Sequence, residues 1–217
     1  MDIYSFPTFN LTKILLTAEE ANTPYTLHLL NAEKAEHKTS EHLARQPLGK
    51  VPAIVLNDQA YFESNAICRL IADKYAPALY GKTPEQRALT NQWIDFMALH
   101  AGRWLATVLF EEVIGPVFFK SETNKKALTE AIHFLSEQLP VLDKQLQKQP
   151  YLTGNLLSVA DLVAFSYFET ITYCSTDISA YTAICEWLDN IKARNSYRQA
   201  MSKLPGNATF ATLLNSR

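Results

Sequence analysis

The sequence predicts two domains of different class: an α/β unit of βαβ-ββα order over residues 1–76, and an all-α helical unit over residues 85–217, joined by a linker at 77–84. Three observations predict this. The apolar period changes repeatedly before about residue 75 and stays helical after about 85. Pro77 and Pro84 bracket the join, each suited to end one element or open the next. A chain of 217 residues that is 47% hydrophobic supplies enough apolar surface for two cores.

The elements follow in order. Residues 2–6 form a short β-type run, and after a turn at 7–10 the apolar residues Leu11, Ile14, Leu15 and Ala18 repeat at helical spacing. Residues 25–30 are apolar and extended, so the connection is a right-handed crossover between parallel strands. A polar, charged loop is expected over 31–50. Residues 51–56, the Asn57-Asp58 turn and residues 60–62 read as a hairpin. Ser64 is the expected N-cap of a second helix whose buried stripe is Ile67, Leu70 and Ile71.

Beyond the linker, one helix over 85–108 carries Leu89, Trp93, Phe96, Met97, Trp104 and Leu105. Another over 125–148 carries Leu128, Ile132, Leu135, Leu139, Leu142 and Leu146, with Pro140 expected to kink or interrupt it. Ser158 and Asp161 form an S-x-x-D capping box before the apolar run at 162–168, flanked by Leu157 and Leu162 at the staple positions. That run has little polar face, which makes it the buried central helix of its domain.

Composition narrows the function classes. A net charge of -2 supplies no basic field for nucleic acid. No apolar stretch approaches the roughly 20 residues of a membrane span, and the N-terminus shows no basic, then apolar, leader, so a cytoplasmic protein is expected. The three scattered cysteines, Cys68, Cys174 and Cys185, indicate neither a disulfide framework nor a metal cluster and read as buried, reduced thiols.

A βαβ-ββα domain carrying Val51-Pro52 and Glu63-Ser64, followed by helices and the S-x-A-D box, resembles the cytosolic glutathione transferases. The segment at 36–53, with His37, Lys38, Gly49, Lys50, Val51 and Pro52, is similar to the corresponding loop of the phi class and its bacterial relatives. The resemblance implies a thioredoxin-like first domain, glutathione as co-substrate, no metal, and a homodimer built through the second helix of that domain and the long helices after the linker. Arg69, Asp73 and Asp95 are candidate interface charges. A small apolar electrophile is the implied second substrate, in a detoxification role.

The resemblance also implies a ligand set. His37, Lys38 and Lys50 lie near the glycine carboxylate of glutathione, where cationic groups make charge-assisted hydrogen bonds. Val51, before a cis Pro52, pairs its backbone with the cysteinyl peptide in the manner of an added strand. Glu63 and Ser64, at a helix start, take the γ-glutamyl ammonium and carboxylate.

The chemistry needs a group that stabilises the glutathione thiolate. By alignment with phi-type members, Thr8 takes the place of their serine, which retains the hydroxyl donor but adds a methyl group. Asn10 is the second candidate, since its amide can donate to sulfur. Tyr4 and Ser5 are distant rivals, Tyr4 reading as strand packing. No cysteine stands in this first loop, which disfavours mixed-disulfide chemistry. Phe9, Leu11, Trp104, Phe110, Ile114, Phe118 and Phe119 are the apolar candidates for an electrophile pocket. Two other readings share the fold: a glutathione-dependent peroxidase or disulfide-bond reductase, and a non-catalytic binding or scaffold protein.

Overall fold

The computed structural model describes residues 1–204; the remainder of the expected helical unit, 205–217, lies outside the described residues. β1 (Asp2–Ser5) alternates as a half-buried strand does, with Ile3 and Ser5 fully buried. α1 (Phe9–Glu20) begins at Thr8, whose extended backbone and side-chain oxygen cap the Leu11 amide at 3.2 Å. β2 (Thr26–Leu29) runs parallel to β1, with Ile3 opposite Leu27.

The segment expected to be a polar loop contains a 3-10 turn (Glu36–Lys38) and α2 (Ser40–Arg45). The Thr39 hydroxyl accepts from the His42 amide at 3.4 Å, and the His42 side chain is fully buried. This short helix therefore has a cap and an inward anchor that its polar composition conceals. β3 (Ala53–Leu56) and β4 (Gln59–Phe62) form the expected hairpin, and Asn57 and Asp58 take the positive φ values, 51° and 62°, of a tight primed turn. The sheet order is β2-β1-β3-β4, with β1 antiparallel to β3.

α3 (Ser64–Tyr75) starts one residue earlier than the capping argument requires. Glu63, at φ 67°, occupies the cap position and Ser64 is the first helical residue, so Ser64 does not cap. Its Oγ instead donates to Asn10 Oδ1 at 3.1 Å, tying the start of α3 to the start of α1. Leu11, Ile14 and Leu15 of α1 share a core with Ile54, Ile67 and Ile71.

The expected linker contains a single helical turn, α4 (Pro77–Tyr80). Thr83 and Gln86 then form a capping box for α5 (Pro84–Leu99), with Pro84 in the first turn. The helix expected over 85–108 breaks at His100, whose φ of -123° and ψ of -107° leave the helical region, and α6 (Ala101–Leu109) follows. Gly102 permits that break: a Cβ there would stand 2.4 Å from the Met97 carbonyl oxygen and 3.0 Å from the Tyr167 ring. A π-helical segment (Phe110–Phe119) succeeds α6.

α7 (Lys125–Leu146) passes through Pro140 without interruption. Pro140 is exposed, so the Ser136 carbonyl that loses its helical partner faces water rather than the core. Two residues assigned to buried stripes are outside: Leu89 is 47% and Ile132 46% exposed, each on the solvent side of a helix that needs only part of its circumference for packing. α8 (Val159–Phe168) is the central buried helix, followed by a 3-10 turn (Glu169–Tyr173), α9 (Thr182–Lys192) and α10 (Asn195–Ser202).

Asp161 anchors this second core. Its Oδ2 accepts from the Ser158 amide at 2.9 Å and the Ser158 hydroxyl at 2.7 Å. Its Oδ1 accepts from the Leu152 amide at 2.8 Å and Trp187 Nε1 at 3.1 Å. Burial raises the Asp161 pKa, and these four donors oppose the rise.

The proposed interface charges are satisfied within the chain. Arg69 pairs with Asp95 at 2.6 Å and Asn91 at 2.8 Å, and Arg87 pairs with Asp73 at 2.9 Å, all between α3 and α5. α1 also joins the second domain, because Glu20 accepts from Arg194 at 2.5 and 2.9 Å and from the Ser196 hydroxyl. Of the cysteines only Cys68 is buried; Cys174 and Cys185 are partly exposed, and all three are free thiols. Among the described residues no helix is long and apolar enough to cross a membrane.

Candidate active site

Three chain segments meet beside the end of β1: the turn leading into α1, the loop around α2, and the start of α3. Thr8 sits at the first of these, and its hydroxyl oxygen already accepts from the Leu11 amide. A hydroxyl that accepts keeps its own proton to donate elsewhere. Asn10, two residues on, is bound through Oδ1 to Ser64. The two thiol-partner candidates and the helix start at Glu63 and Ser64 are thus brought together. Tyr4 is a packing residue, stacked on His28 at 4.5 Å with the Arg45 guanidinium 3.9 Å from its ring centre.

The loop around α2 is held by groups whose importance the sequence did not signal. His42 Nε2 meets the Lys50 carbonyl oxygen at 2.8 Å, and Gln46 Oε1 accepts from the Leu48 and Lys50 amides at 2.7 and 3.1 Å. Gly49 takes φ 59°, and a Cβ there would stand 2.8 Å from the His37 carbonyl oxygen and from Lys38 Cδ. Glycine is therefore required for this loop to close. Lys38 Nζ donates to the Leu48 carbonyl at 3.0 Å, and Lys50 is exposed. The Val51-Pro52 bond is cis.

His37 connects this loop to the turn before Thr8 through an edge contact with Phe6 at 5.5 Å. Its Nδ1 is buried without a hydrogen-bond partner. Desolvation, then Lys38 and His42, lower its pKa, so the neutral imidazole is favoured over the charged one expected.

Lys13 is the largest omission of the sequence reading. It is fully buried on α1, donates to Asn65 Oδ1 at 3.1 Å, and lies 4.1 Å from the Tyr167 ring centre and 5.5 Å from that of Phe9. Burial pushes its ammonium down to about 7, against the pull of Cys68 and Glu63. The available signal was a lone lysine inside the apolar run at 11–18.

Thr8, Phe9 and Thr12 line one side of a small cavity, of about 30 Å³, whose other side includes Leu109, Glu169 and Tyr173. Of the apolar pocket candidates, only Phe9 reaches it. Leu11 is fully buried in the first core, Trp104 stacks on Phe134 at 4.7 Å, and Phe110 faces Phe119 at 6.2 Å, with Phe110 44% exposed. Phe118 and Ile114, both half-buried, lie on the same π-helical segment and are not among the residues around the cavity. Aromatic spacing alone did not reveal which face of each helix turns toward Thr8. Among the described residues no cluster of three or more histidine, cysteine or acidic side chains is arranged to hold a metal.

Comparison with known proteins agrees with this architecture. Residues 1–73 match the family described as Glutathione S-transferase, N-terminal domain, and residues 105–195 match Glutathione S-transferase, C-terminal domain. Glutathione S-transferase 1 of Zea mays is 34% identical over 205 residues, covering 92% of this chain and 94% of that protein. Two solved structures superpose closely: glutathione S-transferase-I bound with lactoylglutathione, and glutathione S-transferase I from mais in complex with an atrazine glutathione conjugate. The first has a TM-score of 0.84, 32% identity and coverage of 93% of this chain and 98% of that one. The second has a TM-score of 0.86, 31% identity and coverage of 95% and 99%. The two family matches, the relatedness along nearly the whole chain and the shared two-domain fold place this chain in the glutathione S-transferase family.

Proposed function

We propose that this chain is a glutathione transferase in which Thr8 holds the glutathione thiolate for attack on a small apolar electrophile. The observation that carries this reading is the cap: with its oxygen accepting from Leu11, the Thr8 hydroxyl directs its one proton away from α1. One hydrogen bond to a charged group contributes about 1.5 to 3 kcal/mol, enough to lower a thiol pKa by roughly one to two units. The thiol proton leaves to solvent, the Thr8 hydroxyl stabilises the thiolate until the sulfur attacks the electrophilic carbon, and as the carbon–sulfur bond forms the leaving group departs with its electron pair, as chloride from chloro-dinitrobenzene. Asn10 supports this step through its amide.

The rest of the tripeptide extends over the three converging segments. Lys38 and Lys50 take the glycine carboxylate, with neutral His37 as a hydrogen-bonding neighbour. The Val51 backbone, ahead of Pro52, pairs with the cysteinyl peptide. Ser64 and the amides at the start of α3 receive the γ-glutamyl carboxylate, and Glu63 its ammonium. The protein acts in the cytoplasm, in detoxification, as a homodimer formed through α3 and α5; sedimentation velocity giving a single species of monomer mass would remove the dimer.

Calorimetric titration with glutathione, together with thiolate absorbance against pH in wild type and Thr8→Ala, tests the reading. Saturable binding, a depressed thiol pKa and its recovery in Thr8→Ala are expected. No binding at millimolar glutathione, or no turnover of chloro-dinitrobenzene, would overturn it.

A further inference from the structure

Lys50 is gripped by its backbone rather than by its side chain. Its amide donates to Gln46 Oε1 at 3.1 Å and its carbonyl oxygen lies 2.8 Å from His42 Nε2, while the side chain stays exposed. Gln46 is 3% exposed and His42 is fully buried, so both groups reach the loop from its inner side. The other ring nitrogen of His42, Nδ1, is also buried and has no hydrogen-bond partner among the described residues. A carbonyl only accepts, so Nε2 carries the ring hydrogen and Nδ1 is the bare nitrogen. One bond holds the imidazole in one tautomer, and that bond is to Lys50.

The peptide plane turns this bond into an aim. The carbonyl of Lys50 and the amide of Val51 belong to one peptide unit, and the Lys50–Val51 bond is trans, so the two groups point in opposite directions. With the Lys50 oxygen drawn toward His42, the Val51 N–H is directed away from α2. That amide has no partner among the described residues, and Val51 is half-buried. The unit is rigid, so a bond that fixes the oxygen also fixes the direction of the amide hydrogen. A backbone donor held in this way needs little further ordering when a peptide arrives.

We propose that His42 is a positioning residue for glutathione: by donating from Nε2 to the Lys50 carbonyl it aims the Val51 amide at the cysteinyl carbonyl of the tripeptide. The imidazole lies behind the loop and touches neither the ligand nor the sulfur. Its effect therefore falls on glutathione affinity and not on the attack step, in which Thr8 meets the thiolate. This rests on the functional reading above, in which the Val51 backbone pairs with the cysteinyl peptide.

The test compares wild type, His42→Phe and His42→Gln by calorimetric titration with glutathione and by steady-state turnover of chloro-dinitrobenzene. Phenylalanine keeps a planar ring in the buried site and removes the donor; glutamine keeps an N–H at a similar reach. A rise of about tenfold in the glutathione Kd and KM is expected for His42→Phe, with kcat at saturating glutathione moving much less, and His42→Gln should recover most of the loss. Equal losses in both variants, or a loss confined to kcat, would mean that His42 only fills space, and overturn the proposal. Unchanged affinity in His42→Phe while wild type binds removes this proposal alone, whereas a wild type that does not bind glutathione removes the functional reading together with it. Nitrogen NMR of the histidine side chains in the wild-type protein gives a second measure free of folding effects. His42 should carry its hydrogen on Nε2 and none on Nδ1, with and without glutathione, and the opposite tautomer overturns the proposal.

Discussion

Ser64 Oγ and Asn10 Oδ1 stand 3.1 Å apart, so a serine that would ordinarily cap its own helix ties two helix starts together instead. Ser64 has one proton, and in the proposed function a bound γ-glutamyl carboxylate draws it away from Asn10. Ser64→Ala is therefore expected to weaken glutathione binding by about threefold to tenfold, the equivalent of one ordinary hydrogen bond of about 0.5–1.5 kcal/mol. Asn10→Ala, which releases that proton in advance, should weaken it less. Calorimetry on both variants checks the order, and a larger loss for Asn10→Ala would contradict it.

Thr8 caps α1 and, in the proposed function, also holds the thiolate, and the two roles have separate readouts. Thr8→Ala removes the helix cap and the thiol donor, lowering stability by about 1 kcal/mol and raising the pKa of the bound thiol by roughly one to two units. Thr8→Ser should preserve both. Thiolate absorbance against pH, read beside thermal melts, tests each effect, and a Thr8→Ala thiol pKa equal to wild type would reject the catalytic one.

Lys13 should leave a mark on stability against pH. Its folded pKa, about 7, lies below the ordinary 10.5. Between these values the unfolded chain holds a proton that the folded chain has released, so the contribution of this group to stability rises with pH across that window. Lys13→Met removes the effect. The difference in melting temperature between wild type and variant, followed from pH 7 to about pH 10, should shift in favour of wild type as pH rises. A constant difference would mean that Lys13 titrates normally.

Asp161 accepts four hydrogen bonds inside the second core. Asp161→Ala leaves buried donors of Leu152 and Trp187 unpaired, and is expected to cost about 3 to 5 kcal/mol, well above the roughly 1 kcal/mol of an ordinary cap. Denaturant unfolding measures it. A loss under 1 kcal/mol would mean that water replaces the carboxylate.

Gly49→Ala tests the loop that carries Lys38 and Lys50. The added methyl would lie 2.8 Å from the His37 carbonyl oxygen in a backbone conformation that alanine resists. Glutathione affinity should fall at least about tenfold while the melting temperature falls by only a few degrees, because a surface loop rather than a core is displaced. Unchanged affinity would show that the loop does not hold the ligand.

Features that arise within a few residues of one another were legible along the chain. The Asn57-Asp58 turn, the Ser158-Asp161 box and the apolar run of α8 were legible because each depends on neighbours along the chain, whereas the cis Val51-Pro52 bond was expected from the family resemblance alone. The remaining contacts join residues far apart in the chain. Lys13 meets Asn65 across 52 positions, Asp161 meets Trp187 across 26, and Glu169 meets Tyr197 across 28. The same holds for the burial of Leu11, the exposure of Leu89 and the internal pairing of Arg69 with Asp95. Periodicity says that a helix has an apolar face, but which residue of that face meets a core, a cavity or a charge is set by the partner packed against it.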